Sequence, residues 1–588
     1  MTGKGKVKRV NGSLVVAEGL PGARIGDVVH IGGLKLVGEV VRMSGGDVSL
    51  QCYEDTSGLK PGEPVSTTGR PLSAELGPGL IGNIFDGLEF SEVAMAQLGG
   101  AFVKRGIEIA PLDRKKKWPF TPRVKKGDRV IEGDIIGTVP ETTVIEHRIL
   151  VPVGLRGTIT AIDEGDVTVE DEVAALRSPD GKEVVIKLMQ VWPVRVPRPY
   201  KAALPSVEPL ITGQRVVDSF FPVSKGGTAA IPGGFGTGKT VTLHQLAKWS
   251  DAHIIIYIGC GERGNEMADV ITHFPVLEDP RTGKKLSERS VFIANVSNLP
   301  VSAREASIYL GVTIGEYYRD QGYDVAIMAD STSRWAEALR DISGRLEEIP
   351  AEAGYPAYLA ERVAEFYERS GRVFTLGSEE RLGSVTIMGA VSPPGGDFSE
   401  PVTSLTLRFV GTLWALDTEL AFRRHFPAIN WLLSFSRYTD LLKDYWSKYD
   451  PEWLEVRDRA LSLLEEASKI EETARIIGEK ALPEEQRLVL FISEIIREGF
   501  LVQQAYHKVD TFCEPGKQAK MLRKMIEFYN MLEPLIRAGV PVARVRELPQ
   551  IVDILRLKEQ REEESIDKVM AEVESQVRKI GEEYEVAI

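Results

Sequence analysis

Along the first 70 residues apolar and polar positions alternate in short runs, Val7–Val10, Leu14–Ala17, Leu34–Val41 and Val48–Cys52. Turn signals such as Asn11-Gly12 and Gly45-Gly46-Asp47 separate them. Successive strand side chains face opposite ways, so this pattern predicts short strands folded into a small barrel or sandwich. Residues 115–195 are again β-rich, with Gly-Asp turns at Gly127-Asp128, Gly133-Asp134 and Gly165-Asp166. From about 225 to 430 alternation gives way to near-continuous apolar runs at Thr228–Ile231, His253–Ile258, Val291–Val296, Asp324–Ala329 and Val385–Val391. Such runs suit strands covered on both faces, and helical stretches such as Ser302–Asp320 lie between them. Beyond about 430 the pattern is mostly helical. In the last helix Ile566, Val569, Met570, Val573, Val577 and Ile580 recur at steps of three and four. They form one apolar stripe, suited to packing within its own domain or to a subunit contact.

These elements predict an α/β multidomain chain. Its parts are an N-terminal β-barrel (1–72), a connecting segment (73–114), an inserted β-rich domain (115–195), an α/β domain (196–432) whose motif Gly233–Thr240, G-G-F-G-T-G-K-T, marks it as a RecA-like P-loop nucleotide-binding domain, and a C-terminal helical domain (433–588). The chain length of 588 residues accommodates them at roughly 150 residues per domain. The insert's pattern from Val124, V-x-x-G-D-x-V-x-x-G-D, resembles a biotinyl/lipoyl-type barrel. A carrier needs a lysine at the hairpin tip, and none lies between Lys126 and Lys182, so the resemblance is one of structure. Trp192–Pro199, with three prolines, predicts a stiff linker. A net charge of −13 disfavours generic nucleic-acid binding. No run approaches the length of a membrane span, and the start lacks the apolar stretch of a signal peptide. The three cysteines, Cys52, Cys260 and Cys513, make no framework of disulfides or metal spacing. His244, His253, His273 and His425 likewise lack ligand spacing.

The sharpest chemical signal is Gly233-Gly234-Phe235-Gly236-Thr237-Gly238-Lys239-Thr240, a full match to G-x-x-x-x-G-K-[ST]. A strand precedes it and the helix Val241–Trp249 follows. Glycines let the backbone curl so that successive amides face phosphate oxygens, and the helix N-terminus adds positive potential. Lys239 is then expected at the β- and γ-phosphates and the Thr240 hydroxyl on Mg²⁺. A second signal is Asp330, ending the apolar strand from Asp324. A carboxylate there suits Mg²⁺, partly through water; taken alone it equally suits a helix cap. A third is Gly259-Cys260-Gly261-Glu262-Arg263-Gly264-Asn265-Glu266, which follows the strand His253–Ile258 and places Glu262 at the sheet edge where the phosphates are expected. There a carboxylate can orient or deprotonate water, with Arg263 at the γ-phosphate or holding Glu262. A Glu–Arg surface pair on a turn fits the same pattern.

The stretch 259–266, together with Pro209–Asp218, Ser331–Ala338 and Phe426-Pro427-Ala428-Ile429-Asn430-Trp431, resembles the catalytic A subunit of archaeal-type and vacuolar-type rotary ATPases. The resemblance spans essentially the whole chain, including the insert that export ATPases and the related synthase β subunit lack. Gly234 stands where many relatives have Pro, and Thr237 where many have Ser or Ala. The resemblance implies Lys239 and Thr240 as phosphate and Mg²⁺ residues within the nucleotide loop Gly233–Val241. It implies Glu262 as the water-activating carboxylate, Arg263 as a γ-phosphate contact and Asp330 as the Walker-B acid. For the adenine pocket, Phe426 is one candidate wall and Tyr506 or Phe512 the other, since aromatic rings suit base stacking as well as a core.

The function this resemblance implies is ATP synthesis or hydrolysis, with ATP/ADP and Mg²⁺ as cofactors, coupled through shaft rotation to H⁺ or Na⁺ transport. Implied partners are B-type subunits in an alternating A3B3 hexamer, central-shaft and peripheral-stalk subunits, with a membrane ion-translocating sector and no nucleic acid. The implied location is peripheral, on the cytoplasmic face of the membrane. The alternative is a RecA-like nucleic-acid or protein-export motor ATPase; against it, the N-terminal barrel has no aromatic-and-basic stacking platform.

Overall fold

The N-terminal alternation closes on itself. In the computed structural model, six strands form a closed barrel in the order Lys4–Asn11, Leu14–Glu18, Asp47–Cys52, Leu36–Ser44, Asp27–Ile31, Pro64–Pro71. Closure pairs both edges, so no strand is left to template aggregation. Inward positions Val15, Ala17, Val29, Ile31, Val40 and Leu50 are fully buried, each large one contributing about 1.5–3 kcal/mol. The structure describes residues 3–92, 95, 105–106, 109–297 and 299–586. Residues 93–94, 96–104 and 107–108 of the expected connecting segment 73–114 lie outside them.

The chain divides into two compact units: residues 1–205, 252–392 and 398–409, and residues 206–251, 393–397 and 410–588. In the first, the insert forms two four-stranded sheets around Trp118, Phe120, Ile136, Ile149, Ile159 and Leu176. A parallel sheet follows, with Ile254–Glu262 between Ser290–Val296 and Asp324–Asp330, and Leu382–Val391 beyond the latter. The helix Val301–Asp320 is buried from Ser302 onward, charged residues included. Buried charges are tolerated only when paired. Accordingly Glu305 pairs with Arg195 at 2.6 Å and Asp320 with Arg198 at 2.6 Å. The expected stiff linker is therefore a strap fixed to this helix. Its first two residues, Trp192 and Pro193, end the strand Gln190–Pro193, which pairs with Ser73–Leu76. The insert is tied down a second time: His147, wholly buried, bridges Glu141 (2.6 Å) and the Tyr317 hydroxyl (2.8 Å), and Glu141 accepts from the amides of Gly79 and Ile81.

In the second unit, strand Thr228–Pro232 pairs in parallel with Thr412–Leu413, which pairs antiparallel with Phe435–Ser436. Helices Trp453–Ile477, Glu484–Ile495 and Pro515–Arg537 pack together. The last helix, Glu563–Glu583, buries Ile566, Met570, Val573, Val577 and Ile580 against Pro515–Arg537 and Gln550–Leu555. Its stripe is thus covered within its own domain.

Candidate active site

In the second unit, strand Thr228–Pro232 leads into the glycine loop and the loop into helix Lys239–Trp249. Gly236 and Gly238 hold φ of 79° and 87°, where a side chain would be strained. No side chain caps this helix, so its first amides suit an anion. Lys239 Nζ donates to the carbonyls of Gly233 (2.6 Å) and Gly234 (2.9 Å), which places the ammonium inside the curl of the loop. Thr237, buried, donates its hydroxyl to the Gly234 carbonyl. Thr240 occupies the helix's first turn. A Cβ on Gly233 would lie 2.7 Å from Leu416 Cβ, whereas Gly234 has only Thr418 Cγ2, at 3.3 Å, and Gly396 nearby. Gly234 therefore has more room for a side chain than Gly233 has.

The aromatic candidates separate by exposure. The Phe426 ring lies 3.7 Å from where a Gly238 Cβ would stand and is 42% exposed. Its carbonyl accepts from Gln503 N at 2.9 Å, tying it to the loop that carries Tyr506, which is 88% exposed. Phe512 is stacked on Trp249 at 5.0 Å and 24°, against Gly213. One of its faces is already used for packing.

In the first unit the carboxylates meet. Gly259 pairs with Asp330 across adjacent parallel strands, and a register shift between Cys260 and Glu262 turns the chain at the strand end. Asp330 accepts from the buried Tyr257 hydroxyl at 3.1 Å. The next helix, Thr332–Arg345, has Ser331 and not Asp330 at its cap position, with no side-chain cap bond. Burial first, then the charges of Asp330 and Glu266, push the Glu262 carboxyl up to about 7. The guanidinium that offsets part of this is Arg334, itself held by both oxygens of Glu337 at 2.8 and 2.9 Å. Arg263 pairs with Glu266 at 3.7 Å and is largely exposed. Tyr257, Arg334 and Glu266 were not singled out from the sequence. The last two sit inside quoted motifs, so their pattern position was the available signal; Tyr257 looked like any strand residue.

Four family models match, in order: the ATP synthase alpha/beta family beta-barrel domain over residues 7–69, the ATP synthase alpha/beta subunit barrel-sandwich domain over 109–195, the ATP synthase alpha/beta family nucleotide-binding domain over 213–436, and the C-terminal domain of V and A type ATP synthase over 442–545. The A subunit of the A-type ATP synthase of Thermococcus kodakarensis is 55% identical over 99% of this chain and 100% of its own. That of Thermofilum pendens is 56% identical over 98% and 97%. The chain belongs to the family of A-type ATP synthase A subunits. The V-type ATP synthase alpha chain of Thermoanaerobacter pseudethanolicus, at 54% over 98% of both, is a bacterial relative. The assembled ATPase EscN of the enteropathogenic E. coli type III secretion system superposes with a TM-score of 0.62 over 89% of this chain and 100% of its own. At 21% identity that likeness is one of fold, so the A-subunit reading holds over the export-motor alternative.

Membership of the family implies nucleotide binding. The glycine loop offers amides and an ammonium to phosphate. Thr240 in the one unit and Asp330 in the other each carry a hard oxygen of the kind Mg²⁺ takes. Among the described residues no group of three or more His, Cys, Asp or Glu could hold a metal ion. Among them too, no helix is long and apolar enough to cross a membrane.

Proposed function

We infer that this chain is the catalytic subunit of a rotary A-type/V-type ATP synthase, making or hydrolysing ATP within a multisubunit complex that couples the chemistry to ion movement. The observation that carries this reading is the curled glycine loop with Lys239 inside it, in a chain 55% identical end to end to A-type A subunits. Lys239 and the loop amides of Gly233, Gly234, Phe235, Gly236, Thr237 and Gly238 hold phosphates, and Thr240 and Asp330 hold Mg²⁺, Asp330 partly through water. Glu262 accepts the proton of the attacking water, and Arg263 adds positive charge toward the γ-phosphate. Phe426 and Tyr506 flank adenine with their exposed faces, Val241 lies beneath, and Phe512 backs the pocket. Copies of this chain alternate with B-type subunits in an A3B3 ring around a shaft. A peripheral stalk braces the ring on the cytoplasmic face of a membrane whose ion-translocating sector moves H⁺ or Na⁺.

Nucleotide titrations with and without Mg²⁺ test the division of labour. Lys239→Ala weakens binding in both conditions, while Asp330→Asn flattens the Mg²⁺ dependence. Unchanged Mg²⁺ dependence in the Asp330 variant removes the metal assignment.

A further inference from the structure

Phosphate, metal and water chemistry leave the stretch Pro209–Asp218 without a task, although it is one of the stretches that carry the family resemblance. Its side chains are buried, and one of them, Arg215, reaches the segment bearing Tyr506. Arg215, fully buried, donates from Nε to the Phe500 carbonyl (2.6 Å), from Nη2 to the Val502 carbonyl (2.9 Å) and from Nη1 to Asp510 Oδ1 (2.7 Å). The other oxygen of Asp510 accepts from Gln504 N at 2.8 Å. One guanidinium therefore holds both ends of the segment Val502–Asp510, while Gln504, Tyr506 and Lys508 between them are exposed. Beside it, Arg215 N donates to Gln503 Oε1 (2.8 Å), Gln503 Nε2 to the Gly213 carbonyl (2.7 Å) and Gln503 N to the Phe426 carbonyl. Gly213, at φ 71°, lies so close to Phe512 that a Cβ would come within 1.9 Å of the ring.

A buried ion pair is weak evidence for stability, since well-packed apolar groups of the same volume often do as well. What apolar groups cannot supply is a planar fork fixing three acceptors at set angles. We propose that Arg215, with Asp510 as its counter-ion, is a positioning residue for base recognition, fixing the segment Val502–Asp510 so that the Tyr506 ring stands opposite Phe426. This rests on the reading that those two rings flank adenine. The proposal separates base from phosphate: loosening the clamp frees Tyr506 and leaves the glycine loop as it was.

The experiment uses the assembled complex carrying Asp510→Asn, which keeps the side chain's shape, and Arg215→Lys, which keeps the charge and loses the fork. ATP turnover gives KM and kcat; competitive inhibition by magnesium tripolyphosphate, which has no base, gives a Ki. Both variants should raise the ATP KM about tenfold, the scale of one lost base–aromatic stack. They should keep kcat within about twofold, the mark of lost uniform binding, and leave the tripolyphosphate Ki unchanged. The KM of Asp510→Asn/Tyr506→Ala should be no worse than that of Tyr506→Ala, because both changes act through one ring. If Arg215→Lys fails to assemble, the isosteric Asp510→Asn decides. An unchanged ATP KM in Asp510→Asn, or a Ki rising in step with KM, overturns the clamp. Wild-type ATP KM in both Phe426→Ala and Tyr506→Ala instead overturns the adenine reading itself. A raised KM in those two with none in Asp510→Asn sinks the clamp and spares the pocket.

Discussion

Glu262 is a carboxyl whose surroundings hold it near neutrality. Burial, Asp330 and Glu266 raise it to about 7, and a general base works best when poised close to the operating pH. Glu262→Gln keeps the shape and hydrogen-bonding capacity and loses the base. Turnover should fall roughly 10²–10⁴-fold while nucleotide binding by titration stays near wild type; retention of more than about a tenth of turnover contradicts the base role. His425, which precedes Phe426, shifts the other way. Burial, with Arg497 and Lys558 nearby, lowers it to about 4. Between pH 6.5 and 4 the unfolded chain binds this proton and the folded chain does not, so stability is full above pH 6.5 and is lost as pH falls. The loss at pH 5 is about 2 kcal/mol for this shift. His425→Gln should show a smaller drop in Tm between pH 7 and pH 5 than wild type. An equal drop places the acid sensitivity elsewhere.

At the scale of elements, the strand end that delivers Glu262 depends on one glycine. Gly261 holds φ 71°, and a Cβ there would lie 2.8 Å from both Arg304 Cδ and Arg334 Cβ. Gly261→Ala should cost about 1–3 kcal/mol from strain and displace Arg334, lowering turnover far more than Gly264→Ala, where a Cβ meets nothing. Equal effects of the two substitutions in melting and turnover assays refute the argument. The parallel strands, the glycine loop and its helix were legible as apolar runs, because burial on both faces leaves a plain hydrophobic signature. The barrel strand Pro64–Pro71 was not, because P-V-S-T-T-G-R-P offers one large apolar residue and relies on neighbours for its pairing. The strap Trp192–Pro199 read as a stiff linker, with no sign that it is tied down, because the acids that fix it, Glu305 and Asp320, are more than a hundred residues away. Phe426, Tyr506 and Phe512 were visible as aromatic candidates and indistinguishable from one another, since the stacking of Trp249 on Phe512 is a tertiary fact. Arg215 stood inside a recognised motif with no local sign of its distant acceptors.

For the molecule as a whole, membership of the A-subunit family makes the chain one part of a multisubunit machine, and the pairing of the arginines near Glu262 bears on how the reaction is completed. Phosphoryl transfer needs positive charge that meets the γ-phosphate as the transition state forms. An arginine finger contributes roughly 10³–10⁵ in rate, or about 4–7 kcal/mol of barrier. Arg334 donates from Nη1 to both oxygens of Glu337, and Arg263 pairs with Glu266 three residues on. A guanidinium already matched to a carboxylate must break that pair before acting as a finger, and its charge is partly spent. The isolated chain should therefore bind nucleotide and turn it over slowly, with the missing arginine supplied across an interface by the B-type subunit. On this proposal, closing that interface would gate chemistry and give a rotating shaft its hold on the reaction. Turnover of the purified chain, measured alone and then with its B-type partner added, tests this directly. A rise of roughly 10³-fold or more on addition fits a finger in trans. If the chain alone already matches the complex, the trans-arginine account is wrong, and the proposed link between interface closure and catalysis goes with it.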